Sequence, residues 1–298
     1  MERLKRIHLF FCLILIYPVV QVKAQNRLDV SVFNNKKIIS IIETSSQSKK
    51  MEDNQKNAST NVVIGENISK TLRKQEFIIK PQGSNSIIDF QVTKIKIETN
   101  TRGIENNYDS DNAFERNEFA AALGNQYDPY IKKTISLKCD QSGNITDTLS
   151  KNVTLKKIES KIIPNFSKNK IFSSIFINSP DSFIWKENKT WTDSLSIDGS
   201  FSVNQYEVQN IKSNIAIIKI NGFSIPPKPS GIKYGTKQDG TNTDLITKYE
   251  GTILVDLKSN FITEINLNKQ TESEIKLMNF TTKSLSETKI NLKNTISK

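Results

Sequence analysis

The chain has 298 residues, a formal charge of +11, two cysteines and one histidine. His8 and Cys12 both lie in the first 24 residues, so residues 25–298 hold no histidine and one thiol, Cys139. That composition excludes a Ser-His-Asp triad, a Cys-His pair, a histidine metal site and an intramolecular disulfide from residues 25–298.

Residues 1–24 read as a signal peptide. Arg3, Lys5 and Arg6 make a basic start, Leu9 to Val20 an apolar run broken by Pro18, and Val22-Lys23-Ala24 a small-residue boundary. The run is shorter than the roughly 20 residues that span a bilayer. The expectation is cleavage between Ala24 and Gln25, export to the periplasm or beyond, and no transmembrane segment afterwards. Bulky Leu9-Phe10-Phe11 ahead of Cys12 do not make a lipobox, so a lipid anchor is not expected. Cleavage removes four basic residues and one acidic one, leaving 38 against 30, or +8. The positive charge is almost all lysine and is scattered; Arg27, Arg73, Arg102 and Arg116 are the arginines of residues 25–298. Nucleic-acid sites cluster basic residues with aromatics, so no nucleic-acid partner is expected. Attraction to an anionic envelope surface fits the charge.

Period-two alternation then dominates, the pattern of half-buried strands. Leu28, Val30 and Val32 alternate, Asn34-Asn35 offer a turn, and Ile39 to Ile42 return. Residues 44–60 are polar and read as a loop. Leu72–Ile79 and Ile88–Ile97 read as strands around Pro81-Gln82-Gly83. Ile88, Phe90 and Val92 share a face, and Ile95 and Ile97 switch parity, which predicts a bulge. A short helix is expected with Asn112 and Glu115 as a capping box, Phe119 and Leu123 on one side and Gly124 as its stop. A second helix is expected from about Ser167, with Ile171, Phe172, Ile175 and Phe176 in one stripe, ending by Ser179-Pro180.

Further on, Phe201–Ile211 and Ile215–Phe223 flank Lys212-Ser213-Asn214, a hairpin signal. The stretch 228–243 reads as a long loop. Leu245, Tyr249, Ile253 and Val255 form one inward parity, on which Gly251 lets the strand bend. Phe261, Ile265 and Leu267 form the inward face of the next strand, and 273–292 reads as one or two polar strands. Ile135 to Asp147 echoes Ile253 to Glu264 as strand, aspartate, turn, strand. The echo divides the chain into a first β module at 25–162 and a second at 163–298, with the seam near Pro164.

Few residues carry chemistry. Asp109, Asp111, Glu115 and Glu118 cluster, but lack the glycine and closing glutamate of a calcium loop; helix capping fits them better. Asp140 and Asp256 are a conceivable glycosidase pair, yet each precedes a turn, where aspartate bonds the local backbone. Trp185 and Trp191 bracket a polar turn and read first as core, second as the lining of a cleft. Cys139 sits in an alternating apolar stretch, as a buried thiol does. No phosphate-cradling glycine loop or Rossmann pattern occurs, and no cofactor is called for.

Several segments in order carry a family likeness: Tyr108-Asp109-Ser110, the hairpin from Ile135 to Ile145, Lys189-Thr190-Trp191-Thr192, and Tyr249-Glu250-Gly251 running to Asp256. The chain resembles an uncharacterised family of exported Gram-negative bacterial proteins and lipoproteins, a domain of unknown function. Where that family has a glycine before the tryptophan, this chain has Asn188 or Lys189. The resemblance implies a β-rich envelope protein without known catalytic residues.

The expected fold is mainly β: antiparallel curved sheets, two half-barrel-like modules and one or two short helices. The expected function is non-enzymatic, a binding or scaffold protein of the envelope with an apolar small molecule or envelope component as partner. The alternative is a hydrolase using carboxylates on envelope or extracellular glycans. Convergence of Asp109, Asp140, Asp256 and the glutamates in one pocket would favour the hydrolase; an apolar groove lined by Phe, Ile and Trp would favour binding.

Overall fold

A computed structural model describes residues 30–53, 62–112, 117–140, 145–149, 174–177, 180, 183–197, 200–225, 243–277 and 280–297. The signal segment, with its boundary at Ala24 and Gln25, lies outside them, as do the seam near Pro164 and most of the loop at 228–243.

In chain order the elements are a 3-10 turn at Val30–Phe33, β1 (Lys37–Asp53), β2 (Val62–Gln82), β3 (Asn85–Thr101) and β4 (Ile104–Asp109). There follow α1 (Glu118–Tyr127), β5 (Thr134–Cys139), β6 (Ile145–Thr148), β7 (Thr190–Ile197) and β8 (Ser200–Lys212). Last come β9 (Ile215–Ile225), β10 (Thr243–Asp256), β11 (Phe261–Leu277) and β12 (Phe280–Ser297). The twelve strands among the described residues belong to one open antiparallel sheet in the order β6-β5-β3-β2-β1-β12-β11-β10-β9-β8-β7, with β4 on the distal half of β3. The fold is mainly β, as the alternation predicts. Strands of the two segments 25–162 and 163–298 share this sheet, because β1 pairs with β12 along its whole length at the centre. No helix among the described residues is long and apolar enough to cross a membrane.

Side-chain parity explains the layering. Ile88, Phe90 and Val92 face inward, and Ile95 faces inward after the register shifts opposite Lys74/Gln75, where the parity switch placed a bulge. Two apolar clusters cover this one inward face. The first joins Phe77, Phe90, Leu137 and Tyr108 to Val30, Phe33 and the helix residue Ala120. The second joins Val208, Ile218, Ile253, Val255 and Ile262 to Phe183, Trp185 and Trp191. Each fully buried Ile, Leu or Phe adds about 1.5–3 kcal/mol of transfer free energy, so these clusters dominate the folding drive.

Several local expectations are corrected. Residues 44–53 are not a loop: they extend β1 between β2 and β12. Their hydroxyls find partners across the ladder, as Ser46 Oγ does at 2.9 Å from Thr288 Oγ1, so a polar strand is stable when both neighbours are strands. Val30–Phe33 is a 3-10 turn and not a strand. The helix starts five residues later than the Asn112 box implies. Asn117 is its cap, accepting from the Ala120 N–H at 2.8 Å, and Gly124 is a buried residue inside it. The second helix is absent from the part described: Phe176 pairs as a bridge with Phe261, and Ile262 N–H donates to Ile175 O. The hairpin at Ser213-Asn214 is as expected, with both residues at positive φ (52° and 67°), the two-residue turn that matches strand twist.

Candidate functional site

A cleft of about 850 Å³ lies across β8, β9, β10, β11 and β12. Its side chains have the parity opposite to the buried one. On β9, Ala216, Ile218 and Ile220 point into the core, whereas Asn221, Phe223 and Ile225 line the cleft. On β10, Ile253 and Val255 are buried, whereas Ile246, Lys248 and Glu250 line it. The cleft is therefore on the face turned away from the two cores. On the inward face of these strands Phe183, Trp185 and Trp191 pack against the second cluster.

The ladders order the cleft into rows. One row runs Gln205, Asn221, Glu250, Asn268, Lys289 across five strands. The next runs Val203, Phe223, Lys248, Gln270, Glu287. A third begins with Phe201 opposite Ile225, and Ile246 follows where the β9–β10 ladder ends. Phe201 and Phe223 have ring centroids 6.1 Å apart. Phe201, Phe223, Ile225 and Ile246 are between 37% and 43% exposed, much for such large apolar groups. One end of the cleft is thus apolar and the other carries amides and charges. Gly222 belongs to its wall: the Tyr249 ring covers the glycine from the inner side, 2.6 Å from where a Cβ would sit.

Behind the cleft lies a polar network. Asp193 accepts from Asn204 Nδ2 at 2.5 Å and from the Tyr206 hydroxyl at 3.1 Å, and the Tyr249 hydroxyl donates to Asn204 Oδ1. Burial, then the nearby Asp193 charge, push the Tyr249 phenol up to about 12 and raise Tyr206 further. Both phenols stay neutral donors at neutral pH. Tyr206 stacks on Trp191 with centroids 4.6 Å apart and an interplanar angle of 9°.

The sequence-predicted residues are spread over the molecule. Trp185 and Trp191 are core side chains, 7% and 8% exposed, edge-to-face with each other and with Phe183. Asp109 and Asp111 surround Lys94 at 3.4 and 2.9 Å, and Lys132 adds a contact to Asp111 at 3.5 Å. The Lys94 hydrogen bond holds the Asp111 carboxyl below its usual range. Neither aspartate caps α1; Glu118 does lie in its first turn, and Glu115 is outside the described residues. Asp256 accepts from Lys258 N–H at 2.9 Å and from Ser259 Oγ at 3.0 Å, the turn role expected of it. Asp140 follows β5, six strand positions from β10 in the sheet. None of Asp109, Asp140 and Asp256 lines the cleft. Cys139 is fully buried, and burial lifts its thiol to about 11. The cleft residues escaped the sequence reading although a signal was present: Leu245-Ile246 puts apolar groups on both parities, as does the run Ile215 to Phe223.

No protein-family model and no curated protein matches the sequence. Among solved structures the chain is similar to an outer-membrane channel from Pseudomonas putida F1, at 7% identity and a TM-score of 0.21, covering 88% of this chain and 96% of that one. It is similar to OccK7 (OpdD) of Pseudomonas aeruginosa at 6% identity and a TM-score of 0.23, covering 88% and 99%. The binding domain of botulinum neurotoxin serotype C1 matches at 9% identity and a TM-score of 0.13, covering 87% and 80%.

Proposed function

We propose that the chain is an exported, non-catalytic binding or scaffold protein of the bacterial envelope, and that it holds an apolar ligand in the cleft on β8–β12. We extend the proposal to its kinship with the uncharacterised exported family it resembles. The observation that carries the reading is the apolar end of the cleft, where Phe223, Ile225 and Ile246 line it, Phe201 borders them, and all four stay exposed beside polar groups. A volume of about 850 Å³ is within the roughly 300–1,000 Å³ of small-molecule sites. The three aspartates of the hydrolase alternative lie elsewhere, in a turn, at an ion-pair cluster and after β5, while Glu250 and Glu287 are the glutamates among the cleft's lining residues.

Native mass spectrometry of the protein purified from its own envelope tests this. A retained lipid or other apolar molecule, lost in Ile246→Asn with the fold intact, is the expected result. Turnover of a glycan or ester, abolished by one carboxylate substitution in a folded protein, would overturn the reading.

A further inference from the structure

The exposed face of β8–β12 carries charges in an alternating square. Lys248 and Glu250 stand two residues apart on β10, and Glu287 and Lys289 two apart on β12. The ladders set Lys248 in one row with Glu287, across Gln270, and Glu250 in the next row with Lys289, across Asn268. Lys269 has the inward parity of Ile265 and Leu267 and is not one of this set. All four corner groups are exposed, and among the described residues none makes an ion pair or hydrogen bond. Opposite charges share each side of the square, and like charges share its diagonals. No single dipole matches that pattern, but a second copy of the pattern does. Turned over about an axis along β11, the square lays its β12 side on the β10 side of the first copy without changing rows. Lys248 then faces the partner's Glu287 and Glu250 faces the partner's Lys289, and by symmetry each contact occurs twice.

We propose that this face is an isologous dimer interface, with a second copy of the chain packed sheet on sheet across a two-fold axis along β11. The same rotation matches groups outside the square. Ile246 faces the partner's Leu285 in the next row. On the strands one step farther out, Lys219 faces the partner's Glu43 and Ile217 faces the partner's Ile41. Ile41, Ile217 and Ile246 are 36–43% exposed in the single chain, so these contacts bury apolar surface. Aligned sheets stack about 10 Å apart with strand directions within about 30°, a gap that Lys and Glu side chains reaching from both sides close. The area is sufficient. From β8 to β2 and from the row of Ile217 to that of Ile246, strand and row spacings give roughly 770 Å² per copy, against about 800 Å² in an ordinary stable interface. Exposed ion pairs add little affinity each, so burial holds the dimer and the square fixes its register. The opposing term lies on the axis, where Glu264 and Glu272 face their own counterparts. The inference goes beyond the binding reading and does not rest on it: the second copy roofs the cleft whether or not a ligand is inside.

Sedimentation velocity of the purified protein is the test, and a dimer at micromolar concentration is expected. Lys248→Glu with Glu250→Lys exchanges the β10 charges, and Glu287→Lys with Lys289→Glu exchanges those on β12. Neither exchange alters the net charge, and all four positions are exposed. Each exchange alone sets like charges face to face in both halves of the contact and is expected to weaken the dimer by about tenfold or more. Mixed in equal amounts, the two variants are expected to form a heterodimer. In that pair one half joins an exchanged β10 to an exchanged β12, and the other half joins two parental strands. The chain with all four changes is expected to dimerise like the parent. Glu272→Gln is expected to tighten the dimer by removing like charges from the axis. Melting curves check that each variant is folded. A parent that stays monomeric up to millimolar concentration overturns the proposal. So does a dimer that either exchange leaves at parental strength, or two weakened variants that do not pair on mixing. Native mass spectrometry reads the ligand separately: a monomer that retains an apolar molecule defeats the dimer alone, and an empty dimer defeats the ligand reading alone.

Discussion

Two glycines show how closely backbones approach behind the cleft. A Cβ on Gly251 would lie 1.9 Å from the Asn266 carbonyl oxygen, and one on Gly222 would lie 2.5 Å from the Val203 oxygen. Both obstacles are backbone, which cannot rotate aside as a side chain can. Gly251→Ala is therefore expected to destabilise the protein by about 1–3 kcal/mol or more through forced displacement of β11, read as a fall in the urea midpoint. Gly83→Ala is a useful contrast, since nothing lies within 4 Å there and its cost is confined to the positive φ of 59°. Cys139 supplies a second residue-scale expectation. Its folded thiol titrates near 11, above an ordinary thiol at about 8.5. The unfolded chain releases that proton first, so the contribution is fully present below about pH 8.5 and is lost as pH rises toward 11. Cys139→Ala is expected to flatten the stability profile across that window, measured by melting at a series of alkaline pH values. A slope unchanged by the substitution would assign the loss to other groups, such as Tyr249.

Register decides which apolar residues become core and which become cleft. Ile265 packs in the second cluster, and Glu264 is one residue away on the opposite face, across from Lys293. Ile265→Asp leaves a carboxylate without a partner in that cluster and is expected to cost several kcal/mol of the roughly 5–15 available. Glu264→Lys places like charges opposite each other and is expected to cost about 0.5 kcal/mol. Equal melting temperatures would refute the register. The inward set Ile253, Val255, Ile265 and Leu267 was legible from alternation, and so was the bulge in β3. Phe261 is buried as expected but not beside Ile265: the shift between Leu254 and Val255 opposes Val255 to Ile262, and Phe261 joins the first cluster beside Phe33 and Phe176. Alternation also failed at 44–53, because a strand between two strands forms from backbone pairing and hydroxyl contacts without any apolar stripe. The helix start slipped because asparagine recurs at 112 and 117, and it is the Asn117 side chain that accepts from the Ala120 N–H in the first turn. The candidate site was missed for a related reason. A parity that faces solvent is read as surface, and only the cross-strand register reveals that Phe201, Phe223, Ile225 and Ile246 gather in one place.

At the scale of the molecule, the sheet is an antiparallel meander whose first and last strands meet at its centre. Lys37 pairs with Ser297 and Asp53 with Thr281, so the central ladder joins opposite ends of the sequence. Closing so long a loop costs entropy before the pairing offsets it, and such contacts slow folding. Ser297 and Lys37 are also neighbours, which makes a rearranged chain possible. A flexible linker from Ser297 to Val30, with new ends opened at the Ser213-Asn214 turn, would make β12–β1 a local hairpin and keep the buried Val30 and Phe33. The opening separates β8 from β9 in sequence, a pair nearer the sheet's end, and leaves their ladder and the buried Val208, Ala216, Ile218 and Ile220 to be joined as a non-local contact. The permutant is expected to keep the far-ultraviolet spectrum of the parent and to refold faster from urea. Truncation after Leu277 is expected to fail instead, since it exposes the edges of both β1 and β11 and removes Leu292 from the second cluster. Stopped-flow fluorescence of Trp185 and Trp191, both in that cluster, reads the rates. A folded permutant that refolds no faster would show that assembly is limited elsewhere than at the β1–β12 ladder, and an unfolded one that the β8–β9 hairpin must form as a local unit.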